Sequence, residues 1–117
     1  MPPVPAELVA LRGAAMTTTA DFHAELATQL GLPGFYGANL DALIDCLSYV
    51  DDPDAGMSTV HVPRGGVLVL ALTDADLVPA PLYAGLVDAV AFVNHRRRAA
   101  GEPGVVALMT DRADVAG

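Results

Sequence analysis

The chain has 117 residues, enough for one ordinary domain and too few for two, and a single domain over residues 1–117 is expected. With 53% hydrophobic residues it can bury a core, while no run approaches the roughly 20 apolar residues that a membrane helix needs, so no membrane contact is expected. A formal net charge of -8, from 14 acids against six basic residues that are all Arg, disfavours nucleic-acid binding and suits a basic protein partner.

Met1-Pro2-Pro3-Val4-Pro5 carries no basic residue and no apolar stretch of signal-peptide length, which points to the cytoplasm. Glu7-Leu8-Val9-Ala10-Leu11 is a short apolar run closed by Gly13 and reads as a strand. Thr17-Thr18-Thr19 offers an N-cap for a helix from Ala20 to Leu30, with Phe22, Leu26 and Leu30 on one face. Gly31-Leu32-Pro33-Gly34 stops it, and Asn39 can cap a shorter helix through Ser48. Val50 to Gly66, broken by Pro53, Gly56, Pro63 and a Gly pair, reads as loop.

Val67-Leu68-Val69-Leu70-Ala71-Leu72 is uninterrupted and apolar, as for a strand buried on both faces. Pro79 and Pro81 precede a helix from Leu82 to Ala100 whose core face is Leu86, Ala89, Val90 and Val93. Arg96, Arg97 and Arg98 occupy its last turns, where cations complement the helix dipole, and Gly101 ends it. Val105-Val106-Ala107-Leu108-Met109 is a third strand. Strands separated by helices imply an α/β fold with a small three-stranded parallel sheet.

The shorter helix carries the functional signal. At about 100° per residue, Leu40, Leu43, Ile44 and Leu47 share one face and Asp41, Asp45 and Ser48 another. Leu40, Leu43 and Leu47 are therefore expected to be buried. Asp41 suits the first turn of its helix, but Asp45 has no such reason to be there. Phe35-Tyr36-Gly37 sets two aromatics just ahead. Either these are exposed beside converging carboxylates, an interface for a basic cleft, or the aromatics are core and the acids merely solvated. Between Arg12 and Arg64 lie Asp21, Glu25, Asp41, Asp45, Asp51, Asp52 and Asp54 without one Lys or Arg, a segment uncompensated in sequence.

The stretch Phe35-Tyr36-Gly37-Ala38-Asn39-Leu40-Asp41-Ala42-Leu43-Ile44-Asp45-Cys46-Leu47-Ser48 closely resembles the binding loop and second helix of the barstar family, inhibitors of barnase-type ribonucleases. The resemblance covers most of the chain and is densest over residues 8–48. It implies a barstar-like fold, three parallel strands packed with helices. It further implies a protein inhibitor, and no enzyme, that occludes the active site of a secreted, guanyl-preferring microbial ribonuclease. By the same resemblance, Phe35 would pack into the guanine-handling cleft, and Gly37 and Asn39 would shape the loop and cap the helix. Asp41 and Asp45 would stand in for RNA phosphates, with Ser48 at the far edge of their face. Ile44 replaces a tryptophan of the family's interface, and Arg96 stands near a position where the family offers a carboxylate. The implied partner is a small basic or neutral extracellular ribonuclease, met by a chain that is monomeric when free. A second reading keeps the fold and gives the same face a partner other than a ribonuclease.

Other chemistry finds little support. His23, His61 and His95 lack zinc-ligand spacing, and Asp52-Pro53-Asp54-Ala55-Gly56 fails as a calcium loop because the ligand positions fall on Gly56 and Pro63. Cys46, the single cysteine, cannot form an internal disulfide and reads as a buried structural thiol. Gly65-Gly66 lacks the rest of a phosphate loop. Neither metal nor cofactor is expected.

Overall fold

Strand β1 (Ala6–Arg12) pairs in parallel with β2 (Val67–Thr73), and β2 with β3 (Val106–Thr110), giving the order β1-β2-β3 in a computed structural model that describes residues 4–111. Met1-Pro2-Pro3, the start of the stretch read above for a leader, lies outside the described residues, as do residues 112–117 of the expected domain. The fold is the expected α/β arrangement. Helices α1 (Thr19–Leu30) and α2 (Leu40–Ser48) lie between β1 and β2, and α3 (Ala80–Ala99) lies between β2 and β3. Among the described residues no helix is long and apolar enough to cross a membrane.

Sequential parallel strands joined by crossovers of one hand carry their helices on one side of the sheet. The burial pattern follows. Val9, Leu11, Leu68, Leu70, Leu72 and Val106, which share a face through the strand register, are buried against the helices. On the opposite face Leu8 and Met109 are exposed, and Val67, Val69 and Ala71 are only half-buried. The expectation that β2 is buried on both faces is therefore corrected: its apolar run fills one face and lines the other, where no crossover helix passes.

Local chemistry sets the helix ends. The Thr18 hydroxyl accepts a hydrogen bond from the Asp21 amide at 3.1 Å, and Gly31 closes α1 in the left-handed region at φ 62°. A Cβ there would also collide with Thr59, whose amide binds the Leu30 and Gly31 carbonyls at 3.1 and 3.0 Å. The long 50–66 connection is thus loop, as expected apart from one short turn at Pro53–Ala55, but stapled to the end of α1. Helix α3 begins two residues before the expected Leu82 because Pro81 sits in the first turn, where its missing N–H leaves no bond unmade. Leu86, Ala89, Val90 and Val93 are its buried face, as the spacing predicts. Asn94 of α3 fixes the start of β3: its Oδ1 accepts from the Val105 and Val106 amides, and its Nδ2 donates to the Val106 carbonyl at 2.8 Å.

Candidate functional site

The loop between α1 and α2 separates its two aromatics. Tyr36 turns inward against the core, and its hydroxyl lies 2.6 Å from Nδ1 of His23, a buried residue of α1. Burial pushes the Tyr36 phenol up to about 12 and lowers the His23 imidazole, so the uncharged forms meet. In the Nε2–H tautomer of His23, the Tyr36 hydroxyl donates to Nδ1. With Tyr36 anchored, Phe35 is left 74% exposed. Of the two rings, one is thus exposed and the other packed toward the core. The His23–Tyr36 bond escaped sequence reasoning; its one sign was a histidine beside Phe22 on an otherwise apolar face.

The chain then tightens into α2. Ala38 takes a left-handed φ of 52°, which aims Asn39 back over the helix start. The Asn39 Oδ1 accepts from the Ala42 amide at 2.8 Å, and its Nδ2 donates to the Gly37 carbonyl at 3.2 Å, so Gly37, Ala38 and Asn39 form one closed turn. The cap fixes the helical phase. Leu43, Cys46 and Leu47 are buried, Ile44 is half-buried against the core, and Asp41 and Asp45 face solvent. Ser48 lies at the end of the acidic face, half-buried, its hydroxyl donating to the Ile44 carbonyl at 2.7 Å. Burial, with the Asp45 charge second, raises the Cys46 thiol and disfavours a thiolate.

One expectation fails. Leu40 is 37% exposed instead of buried, because it sits in the first turn, at the rim of the α2–α3 contact. Its methyls rest over Gly85 of α3, where a Cβ would approach Leu40 Cδ1 to 2.9 Å.

The charges are less uncompensated in space than in sequence. Arg97 of α3 grips Asp51 through two bonds of 3.0 and 2.7 Å with both side chains nearly buried, and also donates to the carbonyls of Ser48 and Pro103. Arg12 binds the buried Glu25, whose carboxyl is held below the usual range chiefly by the Arg12 side-chain hydrogen bond. Arg96 reaches Asp45 at 3.4 Å, with the two side chains 45% and 58% exposed. Three acids of the acidic segment therefore meet arginines from outside it. Asp21, Asp41, Asp52 and Asp54 make no ion pair among the described residues.

An exposed ring at Phe35 in an anchored loop is thus followed by a capped helix that presents an unpaired carboxylate at Asp41 and a loosely paired one at Asp45 to solvent. Such a surface suits a protein cleft lined by cations and an apolar or aromatic wall. Residues 6–108 match the family model described as Barstar (barnase inhibitor).

Proposed function

The chain belongs to the barstar family, and we propose that it inhibits a secreted, guanyl-preferring microbial ribonuclease by inserting α2 and the loop before it into the active site. The observation that carries this reading is the splitting of the loop: Tyr36 is bonded to His23 while Phe35, its neighbour, is exposed in the loop that leads into the helix bearing Asp41 and Asp45. A wholly buried aromatic pair would leave only a solvated acidic helix. Phe35 supplies the apolar contact in the base-handling part of the cleft. Asp41 and Asp45 take the place of RNA phosphates against the nuclease's Arg, Lys and His. Gly37 and Asn39 hold the turn, Ile44 borders the face on its core side, and Ser48 marks its far edge.

Inhibition on this reading is occlusion: the chain performs no chemistry and needs no metal or cofactor. It acts as a single, monomeric domain in the cytoplasm, where a cell would need protection from its own secreted nuclease.

The test is an inhibition assay against a panel of small guanyl-preferring ribonucleases, followed by calorimetric titration of variants. Asp41→Ala and Asp45→Ala should each weaken the complex by about 3–5 kcal/mol if they strand buried cations of the partner. Asp54→Ala, off this face, should change it by less than about 0.5 kcal/mol. Equal losses for all three would show that the face is misplaced. Association should also slow between low and high salt, since screening weakens attraction between opposite fields.

A further inference from the structure

Arg96 and Arg97 are consecutive, so their side chains leave α3 about 100° apart. Arg97 is fixed by four hydrogen bonds, two to Asp51 and one each to the Ser48 and Pro103 carbonyls. That clamp sets the rotation of the α3 end against α2 and aims Arg96 along the acidic face. There Arg96 meets Asp45 through one nitrogen at 3.4 Å, and it makes no other side-chain hydrogen bond among the described residues. Most of a guanidinium fork built for a planar carboxylate is therefore unused. Beside it opens a cleft of about 180 Å³, lined by Ser48, Tyr49, Arg96, Arg97, Ala100 and Glu102. One cation of this cleft, Arg97, is closely matched by Asp51, while Glu102 makes only a long, exposed pair with Arg64 at 3.6 Å. Of the cleft's two arginines, Arg96 is the one held only by a long, exposed contact.

We propose that Arg96 is a specificity-determining residue, selecting a partner that carries an Asp or Glu opposite the end of α3. This rests on the reading of the α2 face as a ribonuclease-docking surface. A partner cation approaching Asp45 meets the Arg96 guanidinium on the same carboxylate, and like charges side by side reject it. A partner carboxylate in the cleft draws Arg96 away, frees Asp45 for that cation, and exchanges one weak internal pair for two across the interface. An exposed single-contact pair costs little to open. The docking face is thus acidic at Asp41 and basic at Arg96, and its complement is a cleft with cations in its floor and an acid on one rim.

The experiment measures dissociation constants of the full chain for two small guanyl-preferring ribonucleases, one with and one without an acidic residue on the rim facing α3. Wild type, Arg96→Glu and Asp41→Ala are compared, with urea midpoints confirming that each variant is folded. Arg96→Glu should tighten the complex with the wholly basic enzyme by about tenfold, a 1.4 kcal/mol change, and weaken that with the acid-rimmed enzyme by a similar factor. If Asp41→Ala loses binding while Arg96→Glu shifts neither enzyme, or both equally, the Arg96 inference falls and the docking face stands. If wild type binds neither enzyme nor any in the panel, both readings fall.

Discussion

Phe35 and Tyr36 are neighbours in one loop, and Arg96 and Arg97 are neighbours on one helix, yet in each couple one side chain faces solvent while the other is locked into the fold. On the proposed reading the free members belong to the recognition edge with Asp41 and Asp45, while the locked members, Tyr36 on His23 and Arg97 on Asp51, fix the chain that carries them. A rigid recognition edge needs both kinds. Exposed groups lose least entropy on binding when the chain that carries them is already fixed from beneath. The difference between the two layers gives each a separate signature: changes below should cost stability, and changes above should cost binding alone.

Arg97→Ala is the sharpest way to test that division. It would leave the Asp51 carboxylate, 4% exposed, without its cation, and breaking one side of a buried pair costs about 3–5 kcal/mol. Equilibrium urea denaturation should show a loss of that size. A change below about 1 kcal/mol would place Arg97 in the exposed layer and remove the clamp.

The Tyr36–His23 bond should matter less, because its partners are uncharged. Tyr36→Phe leaves a buried imidazole nitrogen unsatisfied and should cost about 1–3 kcal/mol, whereas Phe35→Ala should stay within about 0.5 kcal/mol. A pH signature accompanies it. Burial lowers the folded-state His23 pKa, so the unfolded chain takes up the proton first as pH falls. Stability from this group is complete above about pH 6.5, the ordinary imidazole value, and declines as pH drops through the lower folded value. Wild type should lose urea midpoint between pH 7 and 5 more steeply than His23→Gln. Parallel pH profiles for the two proteins would show that His23 is not the group responsible.

What the sequence made legible follows the range of the interactions. Phe22, Leu26 and Leu30, the Leu86 to Val93 face, the Asn39 cap and the three strands all depend on spacing within a few residues, and all stand where expected. Arg97–Asp51 and Arg96–Asp45 join residues 46 and 51 positions apart, and only the crossing of α2 and α3 brings them together. Counting charges along the chain therefore made the acidic segment look barer than it is. Leu40 was misread because helical phase gives a direction but not how far the neighbouring helix extends. The open face of β2 was misread for a related reason: a wholly apolar run does not say which of its faces the crossovers cover. For the candidate site, phase separated Asp41 and Asp45 from Leu43 and Leu47, but it could not decide which aromatic of the loop would turn inward.

The smallest effect expected is the one that completes the contrast between adjacent arginines. Arg96→Ala removes a cation whose only side-chain hydrogen bond among the described residues is 3.4 Å long and whose partner stays solvated after the loss. Exposed pairs of this kind contribute about 0–1 kcal/mol, because water already screens both charges and ordering two long side chains offsets the attraction. Arg96 also lies in the last turn of α3, where any cation interacts favourably with the helix carbonyls, a contribution of a few tenths of a kcal/mol that Ala would forfeit. Together these put the stability loss at no more than about 1 kcal/mol, well below that of Arg97→Ala one position along. Urea titrations of the two variants at matched ionic strength make the comparison directly. A loss for Arg96→Ala equal to that for Arg97→Ala would mean that Asp45 is held as part of the foundation, and a carboxylate held that firmly could not be released to a partner.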